Sequence, residues 1–446
     1  MRDLLLTQGG RIFVVVWIGQ LVSTLGSTLV GFAVGLWVLA ETGSTMSFAL
    51  VLLSNKLPLL LATPVAGVVV DRWDRRKVML LSDAGAAIGT LGAALLFATG
   101  TASIWYLMGA LAFSGTFQAF QQPAYAAATT LLVPKEQLPR AAGMVQLAGS
   151  IGSVAGPTAA VMVMEVSGMM LVFVLDFVSF ALAASLLLTL SFPELQQRRI
   201  VGSGLRSWLG EGGQGVSFIR QREGLSALFV ALTIADFCFG ALSVLLLPLL
   251  LGVTSEVAAG FIVSGTAVAL VIGSGFMTVR RAPSNTSVAL FSSLVVVGIG
   301  FVITGSAPIV WVAAVGLTVI HLVYPITMSL TQAIWQTSVP PQLQGRVFAL
   351  RQAATATAIP VAVFMAALLA DSFFEPLMVN QNRFSDLVGR AIGTGPGRGV
   401  ALMFIITGIA LILTVLITWS TPGAKQLSLN DNEGSRSLEV NQPVAS

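Results

Sequence analysis

The sequence predicts an all-α membrane protein of twelve spanning helices in two six-helix halves. Three observations carry that expectation. Apolar residues make up 55% of the 446 positions and charged residues only 9%, where a soluble protein carries roughly 25% charged. Apolar runs of about 20 residues recur along the chain, long enough for a helix to cross a bilayer and far longer than a barrel strand needs. The cations sort by side: nineteen of the 23 Lys and Arg fall in every second connection or in the two termini. Cations are retained on the cytoplasmic side during insertion, so both termini are expected there.

In order, the expected spans are 12–39, 46–70, 77–98, 103–131, 141–165, 169–191, 226–251, 257–279, 287–305, 309–334, 352–370 and 399–419. Arg11 precedes an apolar run too long for a signal-peptide core and without a small-residue cleavage site, so that run is read as the first span. The halves are 1–191 and 226–420, joined by an Arg-bearing cytoplasmic linker, 192–225, with a short amphipathic piece near Val216–Arg222. An outside loop of balanced charge covers 371–398, and a polar tail, 421–446, is expected to be disordered. The halves repeat: Val133, Pro134, Arg140 and Gln146 recur 206 positions later as Val339, Pro340, Arg346 and Gln352. Two related halves around a midplane site is the plan of secondary transporters.

The turn between the second and third spans, Gly67 to Lys77, packs four cations and two carboxylates into almost no loop. Asp71 sits where one helix ends and can reach the N–H groups opening another helix, or a nearby Arg. This turn resembles the loop 2–3 signature of the major facilitator superfamily, Gly-x-x-x-Asp-Arg-x-Gly-Arg-Arg-Lys. Gly67, Asp71, Arg72, Arg75, Arg76 and Lys77 match it, and Asp74 stands where the family usually has Gly. The resemblance implies the twelve-helix fold of that family, in which this loop latches the cytoplasmic side while the transporter opens outward.

In the fifth span, Gly149, Gly152, Gly156 and Pro157 resemble the Gly-Pro signature of the family's antiporting exporters, with Ala159-Ala160 in place of its usual Gly-Gly ending. Small residues there let helices approach closely, and Pro bends the helix. Gln332-Ala-Ile-Trp-Gln336, Val339-Pro340-Pro341 with Gly345-Arg346-Val347, and Asp176-Phe-Val-Ser-Phe180 are similar to the branch holding macrolide-efflux and enterobactin-exporter proteins. These signatures favour export over import and name no substrate.

Ionisable residues inside spans cost roughly 2.5–3.5 kcal/mol on insertion scales and point to mechanism. Lys56, Asp236 and His321 lie ~15–20 Å from the cytoplasmic ends of their spans at 1.5 Å per residue. The resemblance places Asp236 and His321 on cavity-lining spans. Asp236 is the candidate proton-carrying carboxylate, His321 a candidate assistant, and Lys56 a candidate partner for unprotonated Asp236. Asp83, close to the basic loop, and Asp176 read as structural, Asp83 paired with the loop's Arg residues. Helical spacing proposes cavity-lining groups: Gln20, Ser23, Thr24, Ser27 and Thr28 in the first span. Gln118, Gln121, Gln122 and Tyr125 follow in the fourth, and Tyr324, Thr331 and Gln332 in the tenth. Neutral polar groups with aromatics suit a bulky amphipathic solute better than a small ion.

One Cys and one His exclude a disulfide framework and a Cys/His metal site by count. The net charge of +4 lies in short loops and does not indicate nucleic acid. No phosphate-binding Gly-x-x-x-x-Gly-Lys-[Ser/Thr] occurs, which disfavours an ATP-driven pump, and no cluster suits an enzyme. The expectation is a proton-coupled exporter of amphipathic small molecules in the inner membrane, monomeric, without cofactor or metal. An uptake symporter of the same fold and a non-transporting membrane receptor or scaffold remain open.

Overall fold

The computed structural model describes residues 7–134, 137–190, 216–279, 283, 285–380 and 383–422. Most of the expected linker and the tail beyond 422 lie outside these residues. The helices are α1 (Gln8–Thr42), α2 (Thr45–Arg72), α3 (Arg75–Ala98) and α4 (Ile104–Leu132). A 52-residue stretch, Leu138–Thr189, follows; it breaks at Gly168 (φ 72°) into α5 and α6. The rest are α7 (Glu223–Leu251), α8 (Glu256–Val279), α9 (Thr286–Gly305), α10 (Val310–Ser338), α11 (Pro341–Leu369) and α12 (Arg398–Ser420).

Among the described residues, ten helical stretches are long and apolar enough to cross a membrane. The broken stretch holds two crossings, because the left-handed φ at Gly168 reverses the chain without a loop. The 29-residue α4 is not among the ten; its interior carries Gln118, Gln121 and Gln122. With that division and α4, the crossings number twelve.

Turns between helices are short because caps are encoded locally. Gly43 (φ 60°) closes α1 by donating to the Leu39 carbonyl, and the Ser44 side chain accepts from Ser47 N–H to open α2. Asn285 opens α9 by accepting from Val288 N–H at 2.9 Å. Val133 and Val339, each followed by Pro, close α4 and α10; a residue before Pro is pushed out of helical ψ. Both helices have 29 residues and start 206 positions apart, so the repeat seen in the sequence is a repeat of helices. Near their starts, Trp105 and Trp311 are 72% and 74% exposed, where aromatic side chains sit at a membrane interface.

Two expectations are corrected. The eleventh span was expected at 352–370, but α11 begins at Pro341 and continues through a π turn, Ala370–Phe374, into Glu375–Val379. Proline at the first helical position favours that early start. Arg346 and Arg351, expected in a loop, therefore lie on the helix. The segment 371–398 is also structured: a short helix, Arg383–Ile392, follows, and Glu375 accepts from Gly397 N–H (3.1 Å) and Val400 N–H (2.9 Å). These bonds satisfy orphan donors at the start of α12.

The chain forms two compact units, residues 1–199 with 255–264, and residues 200–254 with 265–446. In the first unit a core at the α2–α3 end joins Phe13, Val70, Met79, Ala124, Tyr125 and Leu187. Trp17 Nε1 donates across α1–α5 to the Met144 carbonyl at 2.6 Å.

Candidate functional site

The first unit encloses a cavity of about 530 Å³ between α1, α2, α3, α4 and α6. Of the side chains proposed from spacing, Gln20, Ser23, Thr24, Ser27, Thr28, Gln118, Gln121 and Gln122 line it, and so does Lys56. Tyr125 does not: its ring packs into the core with Phe13 and Met79. Thr24 and Thr28 turn their hydroxyls back to the carbonyls of Gln20 (2.7 Å) and Thr24 (2.9 Å), leaving only lone pairs to face the cavity. Gln118 Nε2 donates to Ser114 Oγ at 3.0 Å, and Asn55 Nδ2 to the Leu111 carbonyl at 3.3 Å. Lys56 lines the cavity from α2.

The cavity also holds two carboxylates that spacing did not single out, Asp83 on α3 and Asp176 on α6, each 2% exposed. Asp176 accepts from Thr90 Oγ1 (2.8 Å) and Ser27 Oγ (3.4 Å). Asp83 was expected to pair with the Arg residues of the basic turn. Instead its polar neighbours are the carboxamides of Gln20 and Gln121, and its Oδ2 has no hydrogen-bond partner. A helical-wheel signal for this face was present: Asp83, Ala86 and Thr90 follow at i+3 and i+4 steps along α3, Asp176 and Phe180 at an i+4 step along α6, and all five line the cavity.

The Gly-Pro motif packs α5 onto α1. A Cβ at Gly152 would sit 3.0 Å from Thr24 Cγ2, and one at Gly156 would sit 2.7 Å from Thr28 Oγ1. Beside Pro157, Thr158 Oγ1 lies 2.8 Å from Ser264 Oγ, in the part of α8 that belongs to the same unit.

In the basic turn, Asp74 caps α3. Its Oδ1 accepts from Arg76 N–H (2.8 Å) and Lys77 N–H (3.3 Å). The residue that departs from the family signature thus supplies the helix cap. Arg76 reaches the far end of α6, donating from Nε to the Leu187 carbonyl (2.8 Å) and from Nη2 to the Leu188 carbonyl (2.7 Å). A cation on the last carbonyls of a helix is favoured by their unsatisfied lone pairs and the dipole. Arg75 Nε is buried without a partner, Lys77 is exposed, and Gly67 has open space where a Cβ would be. The side chains of Asp71 and Arg72 lie outside the described residues.

In the second unit, Asp236 on α7 accepts from Thr355 Oγ1 on α11 at 2.5 Å, with Arg351 one turn before Thr355 as the nearby cation. The Arg351 guanidinium also stacks over Trp335, 5.1 Å from the ring centroid. Its role beside Asp236 was not readable, because it depends on which faces of α7 and α11 meet. Tyr324 packs against Phe239, centroids 4.3 Å apart. His321 Nδ1 lies 2.8 Å from the Leu317 carbonyl of its own helix. A carbonyl only accepts, so Nδ1 carries the proton and Nε2 is left free. Gln332 is exposed, and buried Thr331 Oγ1 has no partner.

Comparison with known proteins agrees with this architecture. Macrolide efflux protein A of Streptococcus pyogenes is 28% identical over 378 residues, 80% of this chain and 89% of that protein. Enterobactin exporter EntS of Shigella flexneri is 31% identical over 147 residues, 32% of this chain and 35% of that protein. A solved bacterial homologue of the human lysosomal transporter Spinster superposes with a TM-score of 0.62 at 14% identity, over 98% of this chain and 99% of that one. The family model of the Major Facilitator Superfamily matches residues 16–365. Twelve crossings in two repeated halves, the basic turn and this match together identify the chain as a membrane transporter belonging to the Major Facilitator Superfamily.

Proposed function

We propose that the chain exports amphipathic small molecules of macrolide, multidrug or siderophore type by proton antiport, through rocking of its two halves. The observation that carries transport is the cavity: a membrane-spanning unit keeps amides, hydroxyls, a lysine and two carboxylates around about 530 Å³ of open space. Such groups are expensive in an apolar bundle unless a solute or an ion passes there. Similarity to Macrolide efflux protein A over four-fifths of the chain favours the outward direction. Asp236 is the candidate coupling carboxylate of the second unit, with Thr355 and Arg351 to hold its ionised form and His321 as a further proton acceptor. The cations that remain in the connections and termini favour both termini on the cytoplasmic side of the inner membrane, and the exporter is taken to act as a monomer.

A toxicity screen in a host stripped of its own pumps tests the reading. Expression should lower sensitivity to at least one macrolide, dye or chelator, and an uncoupler should restore that sensitivity. Heightened sensitivity on expression would instead indicate uptake. In the same assay Asp236→Asn should lose proton coupling; wild-type coupling would remove Asp236 from the scheme.

A further inference from the structure

The two carboxylates of the first unit's cavity differ in how they are satisfied. Asp176 has hydroxyl donors from two helices, Thr90 on α3 and Ser27 on α1. Asp83 is equally buried, yet its Oδ2 has no partner, and neither Oε1 nor Nε2 of the neighbouring Gln121 has one. A buried anion with one oxygen left without a donor is costly, since it forfeits hydration and regains only part of it from the Gln20 and Gln121 carboxamides beside it. A proton on the carboxyl removes that cost.

Gln121 suits such a change. A carboxamide presents one acceptor and two donors. Opposite a protonated Asp83 its Oε1 can accept the O–H; opposite an ionised Asp83 its Nε2 can donate instead. Neither Gln121 atom is tied to a group other than Asp83, so the amide can turn without breaking a bond to another residue. The groups around Asp83 leave this open. Helix α1 contributes Gln20 and Ser23, α4 contributes Gln118 and Gln121, and neither places a charge on the cavity. The charged groups of the lining are Lys56 from α2 and Asp176 from α6. Tyr125, one turn beyond Gln121, has a buried hydroxyl without a partner.

We propose that Asp83 is a proton-carrying carboxyl of the first unit, which takes up and releases a proton against the carboxamide of Gln121. This deepens the proton-antiport reading and rests on it: one titrating carboxylate would lie in each half, Asp83 in the first and Asp236 in the second. The step is a bare proton transfer. The O–H bond forms on Asp83 when the cavity faces the acidic side, and the proton leaves to water when it faces the other.

Infrared difference spectroscopy on the purified chain in lipid, between acid and alkaline buffer and with no solute added, tests the assignment. The wild type should show a protonated-carboxyl C=O band that disappears with alkali. Asp83→Asn should remove one component of it, Asp83→Glu should retain that component at a shifted frequency, and Asp176→Asn should leave it in place. A wild-type band in Asp83→Asn, or an unshifted one in Asp83→Glu, overturns the proposal; the second variant decides should the first fail to fold. An ionised Asp83 that holds a cationic solute would also leave the band unchanged and so overturn it. The readout needs no transported solute. A chain with the Asp83 band but no pH-driven export would therefore fail the export reading alone.

Discussion

Replacing Arg76 tests the tie between the basic turn and the end of α6. Its guanidinium donates to the Leu187 and Leu188 carbonyls at 2.8 and 2.7 Å, two acceptors among the last four of a helix ending at Thr189. A hydrogen bond from a charged donor contributes about 1.5–3 kcal/mol when shielded, and a cation at a helix C-terminus about 0.3–1 kcal/mol. One of the two bonds is solvent-exposed and is discounted accordingly. Arg76→Ala should then cost about 2–3 kcal/mol. Arg76→Lys should recover roughly half of that, because a single ammonium cannot serve two carbonyls in the fixed fork of an arginine. At ~2–4 °C per kcal/mol for a unit of this size, the alanine variant should melt roughly 4–12 °C lower in detergent, followed by tryptophan fluorescence. An alanine variant melting within about 1 °C of wild type, or a lysine variant no better than alanine, would refute the reasoning.

Two further substitutions probe the same unit. Asp74→Ala should cost about 1 kcal/mol by removing the α3 cap, whereas Asp74→Gly, the family's usual residue, should cost only a few tenths; equal melting temperatures would deny the cap any role. At Gly26, a Cβ would lie 2.5 Å from Ser179 Oγ and 2.6 Å from Asp176 Oδ1. Gly26→Ala should therefore destabilise by about 1–3 kcal/mol through overpacking. Gly67→Ala, with nothing within 4 Å of the new atom, serves as the neutral control; destabilisation of both alike would show that the α1–α6 seam is not the cause.

Legibility of the chain followed the range of the interactions. The spans expected to end at 39 and 131 fall within three residues of the observed ends at Thr42 and Leu132, where a cap at Gly43 and the pre-proline Val133 act within a few positions of themselves. The start of α11 was missed because Arg346 and Arg351 were read as loop cations, although proline at the first position and helix-forming neighbours extend the helix through them. The polar faces of α1 and α4 were legible from spacing. Asp83 was read with the basic turn because it lies close to it in sequence, and the partners of Asp176 are far away in sequence: Thr90 is 86 positions from it, and Ser27 is 149.

By itself the sequence determined that this chain crosses a membrane many times, that its halves repeat at 206 positions, and that a charged turn lies between its second and third crossings. Those features follow from local composition, since bilayer thickness and backbone satisfaction act on each segment alone. The tertiary structure decided which buried charges meet. It brought Asp83 to Gln121, Asp176 to Thr90 and Ser27, and Asp236 to Thr355 and Arg351. Such pairings depend on the rotation of one helix against another, set by close approaches such as Gly26 on Asp176 and Gly156 on Thr28 that no single segment encodes.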